Sequence, residues 1–420
     1  MNGARGGRRR RPCAGQTGAG GGFAAMGKGG ATMEARGFRR PDGRVGFRNH
    51  VLVMPMSYEM NRVAERIAAL APGAVTFRHQ HGVNQAGADL AQTVRVLEGF
   101  ATHPNVAGVV VLGTGDEPYG GAAIAAAAAA AGKRVEFVAL GQAGGIRAAT
   151  ERGAAAAAAY LRSAQDARRE PVPLSTIILG TECGGSDACS GISGNPALGV
   201  VSDLLVAEGG TSILSETTEL IGAEHLLAER AVSPEVAERI LFIVRRIEEG
   251  VLKMGVDLRG AQPSPGNMDG GITTIEEKSL GCVYKGGTTA IREVMEYAER
   301  PRGNGLVIMD TPGHDIEQLC GMVAGGAQAV IFTTGRGTPT GSPIAPVLKV
   351  ATNTFTFERM RDNIDFNAGT IVDGSETVRQ AGERLFAALV ATVNGELTKA
   401  ERLGHREFGI YRIGREFTGT

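Results

Sequence analysis

From His50 onward, short apolar runs alternate with helical stretches, and this alternation carries the first expectation of fold. "HVLVMP" reads as a buried strand, and Met60, Val63, Ile67 and Leu70 then recur at helical spacing. "AVTF" reads as a strand, residues 88–100 as a helix and "NVAGVVVLG" as a second buried strand. "AAIAAAAAAAG" predicts a helix ending at Gly132, "RVEFVAL" a strand, and residues 147–163 an alanine-rich helix. Strands separated by helices of this length mean βαβ units and a mostly parallel sheet. After "REPVPLS", read as a proline-bearing linker, the rhythm restarts with "TIILG", a glycine-rich loop, a helix from Pro196 and "TSILSE". A helix opens at Ser233-Pro234 with Val236, Ile240, Ile243, Ile247 and Val251 on one face. "GLVIMD" and "AQAVIFTTG" are two more buried strands. Residues 256–290 break the pattern and predict a long functional loop rich in Gly, Pro and Thr.

The fold class expected is α/β, with two Rossmann-like three-layer domains and mostly parallel sheets. The expected division is a disordered basic leader over 1–36, an N-terminal α/β domain over 37–170 and a C-terminal catalytic α/β domain over 171–420. Length supports two domains, since the chain has 420 residues. The leader is basic: Arg5, Arg8, Arg9, Arg10, Arg11 and Lys28 stand without an acid in residues 1–32. It reads as a tail, or as sequence upstream of a true start at Met26 or Met33. No apolar run approaches the ~20 residues of a membrane span. Five cysteines without a secretory signal point to a reducing cytoplasm rather than a disulfide framework. The absence of Trp and of aromatics among the basic residues argues against nucleic acid.

Several motifs fail. "GTGDEPYG" starts like a dinucleotide fingerprint but has Pro118 in place of the third glycine, and no Walker A or G-x-S-x-G sequence is present. What remains is polar clusters, each just after a predicted strand. In "RHQHG", His79 and His81 share one face of an extended segment and suit a base or a metal. "GTECGGSDACSGISGNPALG" carries Glu182, Cys183, Ser186 and Asp187 among glycines that allow an anion-binding concavity. In "SETTELIGAEH", Glu216 is the preferred ligand, Glu219 is partly explained as an acid in a first helical turn, and Glu224-His225 has a surface reading. Glu276, Glu277, Lys278 and Lys285 follow in the long loop, where a desolvated lysine near carboxylates suits a general base. Arg336, between glycines and ringed by hydroxyls, suits a bidentate carboxylate clamp. Cys282 and Cys320 read as isolated.

In this order the segments resemble the altronate/galactarate dehydratase family, which includes the large subunit of (2R)-sulfolactate sulfo-lyase. The resemblance runs from "GFRRPDGRVGFRNHVLV" through "ECGGSDACSGISGNPALG", "SETTELIGAEHLLAERA" and "GGITTIEEKSLG" to "MDTPGHD" and "GAQAVIFTTGRGTPTGSPIAPVLKV". It implies a metal-dependent lyase that dehydrates a sugar acid, such as altronate or galactarate, to a 2-keto-3-deoxy acid. The alternatives it leaves are sulfite release from sulfolactate and a non-catalytic sugar-acid binder. The catalytic set it implies is His79, Lys278, Lys285 and Glu277. The substrate set is Arg48, Asn49, Ser186, Asp187, Asn195, Arg336, Thr338 and Ser342. The metal set is Cys183, Glu216, His225, Asp310 and His314. Fe²⁺ is the expected cofactor. Where the family commonly has cysteines this chain has Glu59, Val83 and Asp116, and the two carboxylates leave room for Mn²⁺ or Mg²⁺. The resemblance also implies a sugar-acid ligand, and, because sugar-acid relatives carry an extra N-terminal domain where this chain has only its leader, a separate small subunit; self-association into a homo-oligomer is the alternative cover for the same surface, since most oligomers are homo-oligomers.

Overall fold

The computed structural model describes residues 33–115, 117 and 119–414. The leader through residue 32, Asp116 and Pro118 therefore lie outside the described residues. Two parallel sheets organise the rest. The smaller has the order Val75–Thr76, His50–Pro55, Val106–Gly113, Arg134–Ala139, all parallel. Its centre is the buried run Val109–Val111 paired with Leu52, Val53 and Met54. Such strands are apolar at every position because helices cover both faces.

The larger sheet has seven parallel strands in the order Ile291–Met295, Gly305–Met309, Thr211–Leu214, Ile178–Cys183, Ala329–Thr334, Val347–Ala351, Phe366–Asn367. From Ile178–Cys183 the chain first builds outward on one side, then returns to place Ala329–Thr334 on the other. That reversal makes a crevice at the carboxyl ends of these two strands, where ligands bind in open α/β sheets. The expected α/β class with parallel sheets is what the chain adopts.

The two sheets share one core. Helix Gly87–Ala101 packs on helix Asp315–Ala324, with Leu97 and Phe100 in the same cluster as Leu319 and Val323. Gly99 permits the approach, since a Cβ there would lie 2.4 Å from the Ala324 carbonyl oxygen. The C-terminal segment also ties the halves: Phe408 stacks on Phe77 at 3.8 Å, and the Gln80 amide bonds both N and O of Ile410.

Two sequence expectations change. The stretch read as a linker forms strand Glu170–Val172, antiparallel to Ala35–Arg39, so Ala35 and Arg36 belong to a small sheet and not to the leader. Pro171 is tolerated because this strand is at an edge. The long loop of 256–290 contains helix Ile275–Val283, started by Thr274, whose side chain accepts from the Glu277 N–H. No helix of the described residues is long and apolar enough to cross a membrane.

Candidate functional site

Three elements meet at the carboxyl edge of the large sheet. Cys183 ends strand Ile178–Cys183, Glu216 follows strand Thr211–Leu214, and helix Ile275–Val283 with its next turn supplies Lys278, Cys282 and Lys285. Those last three recur at i, i+4 and i+7, one helical face. Glu216 adopts a left-handed backbone with φ 69° and ψ 62°, strained for a residue with a Cβ. Its N–H donates to Thr311 Oγ1 at 2.8 Å, which holds the strained turn.

The side chains then converge. Cys183 Sγ lies 3.6 Å from Glu216 Oε2 and 3.3 Å from Glu219 Oε2, and Cys282 Sγ lies 3.7 Å from Glu216 Oε2. All four residues are buried, and one ligand atom from each lies within 4.8 Å of the others. Lys285, with no exposed surface, ion-pairs with Glu216 and donates to Cys183 Sγ at 3.1 Å. Lys278 pairs with Glu219 at 2.5 Å and donates to Asn267 Oδ1 at 3.2 Å.

Charge follows from this arrangement. A hydrogen bond from Cys282 holds the Cys183 thiol well below its ordinary range, helped against burial by Lys285 and Lys278. Burial, and the proton it gives to Cys183, push Cys282 well above its own. Burial raises Glu219 to about 8 against the pull of Lys278. At Lys278 burial works the other way, but Glu219 outweighs it and keeps the ammonium charged. A thiolate, two carboxyl groups and two lysines out of water form a site that either carries chemistry or holds a cation.

The donor set fits a divalent metal. Around an ion bonded at 2.0–2.3 Å, tetrahedral ligand atoms stand about 3.3–3.8 Å apart, the range of the three thiol–carboxylate separations above. Two sulfurs and two carboxylates suit a borderline ion such as Fe²⁺ or Zn²⁺ better than Mg²⁺. Lys285 supplies positive charge to two of the same atoms.

A cleft of about 410 Å³ opens beside the cluster. Ser186, Asp187, Ser190 and Asn195 line one wall, and Glu277, Lys278 and Tyr284 the other. Lys278 thus joins cleft and cluster. The glycine-rich loop is folded tightly: Gly185 has φ +59°, and a Cβ on Gly191 would lie 3.1 Å from Gly281 Cα. Asp187 accepts from Ser190, Thr352 and Asn353, while Asn195 bridges Gly281 O and Thr333 Oγ1. These two side chains hold the wall in shape.

The other expected residues fall elsewhere. Arg48 is buried against Glu401 and donates to the carbonyls of Phe47, Thr392 and Glu396, so its guanidinium is fully engaged inside the fold. Asn49 donates to Ala164 O and accepts from Arg40. Both side chains have their polar atoms engaged within the fold. Glu277 borders the cleft, yet its carboxylate accepts from Thr273 N and Oγ1, a helix-capping role that holds it below the usual range. Asp310 is paired with Arg246 and accepts from Thr217, outside the cluster. His225 and His314 are exposed and contribute nothing to the four-residue group. His79 is buried with His81 and Phe408 at the edge of the small sheet, its imidazole pushed down to about 3 by burial and by His81. Glu59 is exposed. Arg336 is exposed with Nη1 2.4 Å from the Cβ position of Gly266, facing the 256–290 segment. Thr338 bonds Thr340 at 2.9 Å, and Thr338 and Ser342 are both buried in the same loop. Two members were missed: Glu219, explained away as a helix-start acid, and Cys282, read as isolated. The i, i+4, i+7 spacing of Lys278, Cys282 and Lys285 was the available signal.

A parallel sheet whose switch-point edge gathers thiols, carboxylates and lysines beside a cleft defines an α/β enzyme that acts on a small polar molecule. Residues 37–165 match the model for the second domain of D-galactarate dehydratase/altronate hydrolase, and residues 174–416 match that for the C-terminal part of D-galactarate/altronate dehydratase. The chain belongs to this dehydratase family. It is 35% identical over 390 residues to altronate dehydratase of Bacillus subtilis, covering 90% of this chain and 78% of the relative. It is 37% identical over 379 residues to the (2R)-sulfolactate sulfo-lyase subunit beta of Chromohalobacter salexigens, covering 90% and 97%. With the galactarate dehydratase (L-threo-forming) of Escherichia coli it shares 42% identity over 256 residues, 60% of this chain and 48% of that one.

Proposed function

We propose that this protein is a metal-dependent hydro-lyase that dehydrates a sugar acid of the altronate or galactarate type to a 2-keto-3-deoxy acid. The observation that carries the reading is the convergence of Cys183, Glu216, Glu219 and Cys282 with two lysines beside an open cleft. Removing the proton α to a carboxylate requires a positioned base and stabilisation of the enediolate that forms. A divalent metal held by Cys183, Glu216, Glu219 and Cys282 supplies that Lewis-acid stabilisation when bound. Lys278 is the proton-transfer group at the substrate, because it lines the cleft and reaches Glu219. As the free amine it takes the α-proton, and the ammonium so formed gives a proton to the departing 3-hydroxyl, which leaves as water. Lys285, enclosed beneath, fixes Glu216 and Cys183. Arg336 is assigned the acid end of the substrate, where a planar fork matches a carboxylate.

A second reading rests on one observation, the alignment over 97% of the sulfo-lyase subunit. Loss of sulfite from sulfolactate uses the same α-proton abstraction with a different leaving group, and on that reading a small second subunit completes the enzyme. The test is turnover of anaerobically purified protein on a panel of aldonic and aldaric acids and on sulfolactate. Formation of a 2-keto acid from a sugar acid is the expected result. Sulfite release from sulfolactate alone selects the second reading, and tight binding without turnover marks a binder.

A further inference from the structure

The face of strand Ile178–Cys183 opposite Cys183 is covered by helix Asp315–Ala324, and the two elements run past each other in register. Met322 Sδ lies 3.0 Å from the Cβ position of Gly180, and Asp315 Oδ1 lies 2.6 Å from that of Gly184. Between them, Gln318 Nε2 donates to Ser215 Oγ at 2.5 Å and to Thr181 O at 3.4 Å. Glu182 points to the same face as Gly180 and Gly184, since side chains alternate along a strand. Its carboxylate therefore enters beneath the first turn of the helix, where Asp315 and Gln318 lie three residues apart on one side.

Three oxygens there have no hydrogen-bond partner among the described residues. Glu182 has no exposed surface, and neither carboxylate oxygen has a hydrogen-bond donor. Gln318 is also fully buried, and its Oε1 has none, although its amide nitrogen is engaged twice. The neighbouring cations, Lys285 beside Glu182 and Lys278 beside Asp315, make their bonds to Glu216, Cys183 and Glu219 of the cluster. A buried carboxylate left without donors costs several kcal/mol, so a group of this kind is retained where something completes it.

We infer that Glu182, Asp315 and Gln318 form a second cation site, separate from the thiol–carboxylate cluster, that takes a hard divalent ion such as Mg²⁺, Mn²⁺ or Ca²⁺. Two carboxylates and an amide carbonyl oxygen are oxygen-only donors, the set that hard cations prefer and that offers nothing to a thiophilic one. The site follows from the packing of one helix on one strand and does not depend on the reaction proposed above.

Mn²⁺ is the probe, because it is paramagnetic and scatters anomalously. In crystals of the full chain grown with Mn²⁺, an anomalous peak bonded to Glu182 and Asp315 is the expected result. In solution, Asp315→Asn weakens one class of Mn²⁺ site at least tenfold, and Gln318→Leu weakens it less. Asp315 is partly exposed at a helix start, so its variant folds even if Glu182→Gln does not. No peak at Glu182, or an unchanged Mn²⁺ isotherm in Asp315→Asn, overturns the site. An infrared band of a protonated carboxyl that disappears in Glu182→Gln, without Mn²⁺ binding, also overturns it, by showing that a proton completes the pair.

Discussion

The two sheets are built alike, yet among the described residues thiols, carboxylates and lysines converge in one cluster at the carboxyl edge of the large sheet alone. In the four-stranded sheet the groups beyond the strands are each held separately: the His79 imidazole is pushed down by burial, Phe408 packs beside it, and the buried Glu117 carboxylate accepts from the N–H groups of Thr114 and Gly115. In the seven-stranded sheet the corresponding edge holds Cys183, Glu216, Glu219 and two lysines, with charges that answer one another. Placement after a strand is common to both. What separates them is whether charged groups from distant segments converge out of water, since only then does desolvation strengthen each interaction enough to hold a metal or move a proton.

The sharpest way to test this contrast is Lys285→Met. Removing the ammonium leaves Glu216 buried and uncompensated, for a loss of roughly 3–5 kcal/mol of stability. Activity falls by roughly 10–100-fold even where the variant folds, the loss expected for a group that supports metal ligands. Denaturant unfolding and turnover together check both. A stable, fully active variant would remove Lys285 from both the charge balance of the fold and the chemistry.

The strands and part of the cluster are legible in the sequence, whereas the contrast is not, since His79 reads there as catalytic, and the reasons are physical. Apolar runs such as "NVAGVVVLG" fixed the strands because a strand covered on both faces has no polar position to confuse the pattern. Cys183 and Glu216 stood at strand ends and were identifiable from that alone. Arg48 and Asp310 look equally functional in the sequence, which does not show that they pair with Glu401 and Arg246. Those partners come from remote segments, and pairings of that kind have no local signature. Cys282 was hidden because a loop reading of 256–290 removed the helical period that aligns it with Lys278.

A smaller effect is expected at the cleft. Arg336→Lys raises KM roughly tenfold, about 1.4 kcal/mol, with kcat less affected. An unchanged KM removes Arg336 from substrate binding.

The small sheet is separated from the large one by its acid response. Folded His79 titrates near 3 against 6.5 for the free side chain, because burial and His81 disfavour its charged form. The unfolded chain therefore binds more protons between pH 6.5 and 3, and stability falls as pH drops through that window. His103, fully buried and shifted the same way, adds to it. His79→Phe shifts acid unfolding to lower pH and leaves neutral-pH turnover within about threefold. A large loss of kcat would instead place His79 in the chemistry.

The smallest effect belongs to Glu277. As a cap to helix Ile275–Val283, its replacement by Gln costs about 0.5–1 kcal/mol and leaves kcat near the wild-type value. A hundredfold drop in kcat would restore it as a catalytic acid.

The most direct test sets the two edges side by side. Iron content and 2-keto-acid formation are measured in anaerobically purified Cys183→Ser/Cys282→Ser and His79→Gln/His81→Gln proteins. Loss of both metal and turnover in the cysteine variant, with both retained in the histidine variant, is the predicted result. Full iron and turnover without the two thiols, or their loss with the histidines alone, would contradict the assignment of the chemistry to the large sheet.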